Sequence, residues 1–580
     1  MILTSTDCLI TLVLYAISLG IGYLLLTRIK TPADFFSANR ELPAWLCALA
    51  FAAGLGAQEV LALGAAAARY GVSAAAFYSL GAIPGLLFAG LFIVPLLYAS
   101  KARTLPEFLG LRFDSKTRTL LAAVFALTTL VTAAASLALI ARILQALHIF
   151  DGLFRAMDWP LQGIFLFTAA IPALVVLGYV LLGGLRGVIR NLALQLFVLI
   201  AGLLPVVFLG LKTIGGWPGL IASLAPSTLY PFATGSSSGL HLALAALALG
   251  LVLGAGYACT DFRLLQIPLA AKTSAAARQT PLLAAIPRLV LPVLLILPGL
   301  IAIALPTPHT TTFTRIENGA IFHETTVVRP EAEQGNGLVP ATTDPATGKV
   351  LLDSAGQPIL NYEMVTPNLL AHVLPNGLLG LGLTALLAAL MSSLALSVSA
   401  FAAVFTCDLY QPFLSGNTNP APDAHLLAAG RWSAVACAVF SIAAAWAALG
   451  AHNLIGLLLL AFSVLNAPLF ATILLGIFWK RATGHGAFAG LLAGAAAALL
   501  HYGLTLPVAA HAGIAGAWLA VLHVYPSEWA QFFWTAISAF TVNLFVMIVV
   551  SLLTPPRPQA ELVGLVHNLD PRPRAARSRR

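Results

Sequence analysis

The chain has 580 residues, 59% of them hydrophobic and only 9% charged, with a mean hydropathy of +0.93. These values exclude a soluble globular domain and indicate a polytopic membrane protein. The formal net charge of +9 is not a nucleic-acid footprint, because the basic residues fall mostly in connections between apolar runs.

Taken in chain order, about thirteen apolar stretches approach the roughly 20 residues that cross a hydrocarbon layer. Their cores are Cys8 to Leu26, Trp45 to Ala68, Tyr78 to Tyr98, Leu120 to Leu147, Leu161 to Leu182, Leu192 to Leu211, Leu242 to Tyr257, Leu289 to Leu305, Leu378 to Phe405, Trp432 to Leu449, Leu454 to Phe478, Phe488 to Leu500 and Phe532 to Leu553. No basic residue or small-residue cleavage site precedes the first run, and Arg28 and Lys30 follow it directly. It therefore reads as an uncleaved leading helix.

Short basic loops resist translocation, so lysine and arginine set the orientation. With the N-terminus outside, the cytoplasmic set includes Arg28, Lys30, Arg40, Lys101, Arg103, Arg112, Lys116, Arg118, Arg186, Arg190, Arg263, Lys272, Arg278, Arg288, Arg431, Lys480, Arg481 and the arginines of the tail. Arg69, Arg155, Lys212, Arg315, Arg329 and Lys349 fall outside, and Arg142 falls inside a helix. This arrangement places a multi-pass protein in the cell membrane with a cytoplasmic basic tail, 555–580, that touches anionic lipid. The membrane domain covers 1–554, with a turn-rich polar insertion at about 306–362 on the outer side. The five cysteines and twelve histidines lack the spacing of a disulfide framework or a metal centre.

Two runs are broken by Gly-x-Gly: Gly54-Leu55-Gly56 in the second and Gly254-Ala255-Gly256 in the seventh. Weakened helices five apart point to two five-helix halves of inverted topology, with a binding site at mid-membrane. Close packing of glycines is the competing reading. Just past the first break, Glu59 places a carboxylate where charge is expensive, so it needs a partner, a ligand or trapped water. Pairing with Arg69 or Arg142 is the structural alternative. In the ninth run Ser392 and Ser393 offer adjacent hydroxyls, and Ala389 precedes them by about one turn. Hydroxyls and freed carbonyls aimed at one point suit a hard monovalent cation, whereas back-bonding to the preceding turn is the structural alternative.

Further motifs run along most of the chain: Asp34-Phe35-Phe36-Ser37-Ala38-Asn39-Arg40, Thr104-Leu105-Pro106-Glu107-Phe108-Leu109 with Arg112-Phe113, Gly183-Gly184-Leu185 with Gln195, Leu269-Ala270-Ala271-Lys272, Pro298-Gly299, and Ala388-Ala389-Leu390-Met391-Ser392-Ser393 through Asp408-Leu409-Tyr410. With these motifs the chain resembles the sodium/solute symporter family, which includes sodium/galactose cotransporters. The resemblance implies an all-α, five-plus-five inverted-repeat (LeuT-type) fold with core repeats of about 42–212 and 240–480, one leading helix and two trailing ones. It also implies alternating access driven by sodium.

Carried over by position, the sodium ligands would be the carbonyls of Ala52, Leu55 and Ala389 with the hydroxyls of Ser392 and Ser393. The solute, a small polar organic molecule such as a sugar, would meet Gln58, Glu59, Tyr78 and Tyr257. Several positions depart from the family pattern. Tyr78 stands where sugar cotransporters carry an acid, Ala258 and Ile267 replace a tryptophan and an arginine, and Asn191-Leu192 replaces Thr-Asp. The missing acid leaves Glu59 to supply negative charge near the ion, or to couple transport to protons instead. A solute sensor built on the same fold is the reading from another class; clustered carboxylates or nucleophile-base pairs that would mark an enzyme are absent from the sequence. The sequence calls for no obligate protein partner.

Overall fold

The computed structural model describes residues 4–54, 57–146, 161–229, 252, 254–305, 310–317, 320–327, 338–342, 350, 352, 356, 358–415, 422–448, 454–508, 510 and 515–567. Among them, ten helices are long and apolar enough to cross a bilayer. These residues do not fix the expected total of about thirteen. The second run is divided in two, most of the seventh lies outside the described residues, and the fifth and sixth are joined in one 53-residue element, Leu161–Thr213.

As one straight helix, Leu161–Thr213 would span about 80 Å, far more than one crossing. Gly184 divides it, with φ 52° and ψ −155°. A Cβ at Gly187 would lie 3.1 Å from the Tyr179 carbonyl eight residues earlier, whereas a continuous helix would separate them by about 12 Å. The chain therefore turns back at the glycine. The backbone of Phe35 lies 3.0 Å from the position a Gly184 Cβ would take, so both the left-handed φ and the close approach call for glycine.

The helix Leu378–Val404 runs through the centre of the bundle, with nearly all of its residues buried. It packs against Leu161–Thr213, Ser115–Ala146 and the leading helix Ser5–Leu25. Asp7 of the leading helix caps it: Oδ1 accepts hydrogen bonds from the backbone N–H groups of Gly377 and Gly380, each at 2.7 Å. An uncapped helix start leaves such donors unsatisfied. Asp7→Ala is expected to cost about 1–2 kcal/mol, measurable as a lower melting temperature of the detergent-purified protein. An unchanged melting curve would show that the cap adds nothing.

At another interface two backbones meet directly. The Gly299 Cβ position, in helix Ser274–Ala304, lies 2.1 Å from the carbonyl oxygen of Gly64 in helix Ala57–Tyr70. Only glycine allows this approach.

In the polar insertion, strands Thr310–Glu317 and Ala320–Val327 form an antiparallel hairpin, in keeping with its turn-rich sequence. A short helix, Val365–Val373, follows. It is too short to register as a span, so hydropathy gives no sign of it as a separate element. The first part of the basic tail, expected to lie against lipid, instead packs on the protein. Leu562 and Val566, four residues apart, are buried, and the His567 N–H donates to the Ile477 carbonyl at 2.8 Å. Residues 568–580 lie outside the described set.

Candidate functional site

The second helix runs Ala44–Ala53, stops at Gly54 and resumes as Ala57–Tyr70. The interruption leaves carbonyls of the last turn without helical donors. One of them, Phe51, accepts from Arg288 Nη2 at 3.1 Å. Ala52 is fully buried at the break. Leu55 lies outside the described residues, as does the side chain of Gln58.

The predicted hydroxyl pair faces the protein interior: Ser392 and Ser393 are each 1% exposed. Ser392 Oγ lies 2.6 Å from Gln195 Oε1 and 2.9 Å from the Ala388 carbonyl. Ser136 donates to Ser393 Oγ at 3.2 Å. The broken helix abuts the same stretch, since a Cβ at Gly54 would sit 3.2 Å from Cδ1 of Leu396, one turn beyond the serines. Ala389 is buried on this helix. The sequence does not single out Ser136 as a neighbour of the pair, although Thr128, Thr132 and Ser136 form a hydroxyl stripe at four-residue spacing. Leu192, where the family pattern has an acid, is fully buried, and Asn191 Nδ2 turns toward the Ser18 and Gly187 carbonyls.

Three of the predicted solute residues come together. The Tyr78 hydroxyl donates to Glu59 Oε2 at 3.0 Å. The Tyr257 ring lies 5.6 Å from that of Phe462, and Arg263 Nη2 reaches the tyrosine hydroxyl at 3.5 Å. Glu59 interacts electrostatically with Arg288, Arg263 and Asp261. Asp261 caps helix Phe262–Leu269 and holds Arg263 in a tight ion pair of 2.6 Å, so that pair neutralises itself. The structural alternative for Glu59 finds its arginines engaged elsewhere: Arg69 pairs with Glu528 at 2.9 Å and Arg142 with Glu363 at 3.3 Å.

Arg288 is a correction to the sequence reading, which placed it in a cytoplasmic loop. It lies midway along the membrane-spanning helix Ser274–Ala304, is 2% exposed and sits over the Phe51 ring at 5.5 Å. The misreading came from starting the eighth span at Leu289, whereas the apolar run begins before this arginine and continues through its prolines.

The sodium:solute symporter family model matches residues 35–494. The chain belongs to this family. It is a transporter rather than an enzyme. A sodium/glucose cotransporter of Vibrio parahaemolyticus is 26% identical over 507 residues, covering 85% of this chain and 84% of that one. A sodium/myo-inositol cotransporter 2 of Homo sapiens is 26% identical over 503 residues, covering 83% and 67%. Among solved structures, a substrate-bound, outward-open sodium-coupled sialic acid symporter superposes with a TM-score of 0.71 at 17% identity, covering 96% of this chain and 99% of that one. A nucleobase-cation-symport-1 family transporter superposes at 0.51. These likenesses establish the inverted-repeat transporter fold.

Proposed function

We propose that the transporter carries a small polyhydroxylated organic solute into the cell together with sodium, by alternating access in the plasma membrane, with its N-terminus outside. The observation that carries this reading is the interrupted second helix abutting the ninth one turn from a buried hydroxyl pair. The carbonyls of Ala52, Leu55 and Ala389 and the hydroxyls of Ser392 and Ser393 form the neutral oxygen cage. Because the cage draws on both halves of the chain, occupancy by sodium favours the arrangement in which they meet. Glu59, Tyr78 and Tyr257, with Gln58, hold the solute. The substrates of the relatives, glucose and myo-inositol, support a ring bearing hydroxyl groups.

Purified protein in liposomes is expected to accumulate labelled solute when sodium is outside and to fail when choline replaces it at fixed pH. Accumulation driven by a pH gradient without sodium would instead assign coupling to protons through Glu59. Solute binding without any uptake would favour a sensor.

A further inference from the structure

Away from the proposed transport site, three basic side chains converge on one cavity. Arg40, Lys101 and Arg103 line a hollow of about 220 Å³, together with Ser37, Gln266 and Leu269. Its walls come from three parts of the chain: helix Pro32–Ser37 with the turn after it, the connection that follows helix Val94–Ala99, and helix Phe262–Leu269. The Tyr98 carbonyl ties the first two together, accepting from Arg40 Nη1 at 3.4 Å and from the Lys101 backbone N–H at 3.3 Å. The Tyr98 hydroxyl donates to the Ala271 carbonyl at 3.0 Å, two residues beyond the third wall.

The cations outnumber their counter-charges. Glu107 lies 3.6 Å from Arg103 Nε, and no carboxylate of the described residues lies within ion-pair distance of Arg40 or Lys101. Glu41 and Asp408, the nearby acids, are taken by Arg186 and Arg118. The neutral groups of the wall are also engaged. Ser37 donates to the Ala33 carbonyl, and the Gln266 amide bonds with the Arg263 and Leu396 carbonyls and with Ser399. The hollow thus offers a ligand mainly positive charge. The backbone bends to present it: Arg40 and Lys101 hold left-handed φ angles of 52° and 60°. Such a φ is uncommon without glycine, persists where the surroundings fix it, and clusters at ligand clamps.

We propose that this hollow binds a phosphate group, on the face that the basic loops assign to the cytoplasm. None of its residues belongs to the proposed sodium or solute sets, so the site stands or falls independently of them. A tetrahedral dianion presents oxygens to two guanidinium forks and an ammonium at once, which a planar carboxylate does not. The phosphate comes either from a soluble compound or from a lipid headgroup, and the cations recognise both alike. Occupancy bridges the three walls and favours the arrangement in which they meet.

The test measures melting of the full-length purified protein against phosphate and pyrophosphate at constant ionic strength, and in phosphatidylcholine discs with and without phosphatidic acid. A saturable rise in melting temperature is expected in at least one arm. Stabilisation by the soluble anions in neutral discs identifies a soluble ligand, and stabilisation by phosphatidic acid alone identifies the headgroup. Phosphate also stabilises proteins generally by exclusion from their surface, so the saturable part is the signal. Lys101→Glu should weaken it at least about tenfold, which is about 1.4 kcal/mol. Lys101 is exposed, so this variant is expected to fold. Lys480→Gln, which removes an exposed cation from another connection assigned to the same face, should leave the affinity unchanged. Absence of saturable stabilisation in both arms, unaltered affinity in Lys101→Glu, or an equal loss in Lys480→Gln would overturn the proposal.

Discussion

Replacing both Ser392 and Ser393 by alanine is expected to raise the sodium concentration for half-maximal uptake by at least about tenfold, since each tenfold corresponds to about 1.4 kcal/mol. The variant removes two oxygens from the proposed cage and nothing else of comparable polarity. Both side chains are buried, so they are not surface groups whose loss would pass unnoticed. The helix itself should tolerate the change, because alanine is the better helix former. The Gln195 Oε1 loses its Ser392 donor, while Ser136 loses Ser393 but keeps the Thr132 carbonyl, so melting curves must accompany the uptake data. Sodium titration of uptake separates the outcomes: an unchanged half-saturation in a folded protein would eliminate the hydroxyl pair as ligands.

Glu59→Gln is expected to lower sodium-dependent uptake about tenfold or more, comparable to truncating a buried charge that others face. The amide keeps the size of the side chain and an oxygen for the Tyr78 hydroxyl, so the loss reports on the charge. That charge lies within electrostatic reach of Arg288 and Arg263. Initial uptake rates across sodium and solute concentrations separate weakened ion activation from weakened solute binding. Wild-type rates at all concentrations would reduce Glu59 to a packing role.

Much of the architecture is legible in the sequence because hydrocarbon thickness imposes its own ruler on apolar runs. The break at Gly54 can be read from two glycines beside a carboxylate, and Ser392-Ser393 from adjacent hydroxyls in an apolar run. Gly184 stands out only as part of a motif; that it reverses the chain depends on a dihedral angle, which no hydropathy pattern reports. Arg288 is misplaced by charge counting because that rule treats every arginine near a span end as a loop residue, and a buried arginine violates the assumption. Ser136 stays hidden because hydroxyls that back-bond within a helix and hydroxyls that face a partner helix share one spacing. The roles of Leu55 and the Gln58 side chain rest on the family resemblance alone.

Where Gly64 and Gly299 touch, main chain meets main chain with no side-chain layer between them. Sliding of one helix past the other would drive a carbonyl into an alpha carbon, so the second half of the broken helix and the arginine-bearing helix travel as one piece. Reorientation during the transport cycle is then expected at other interfaces, where side chains lie between the helices. Arg288 and Glu59, carried by these two locked helices, are therefore expected to keep their spacing through the cycle.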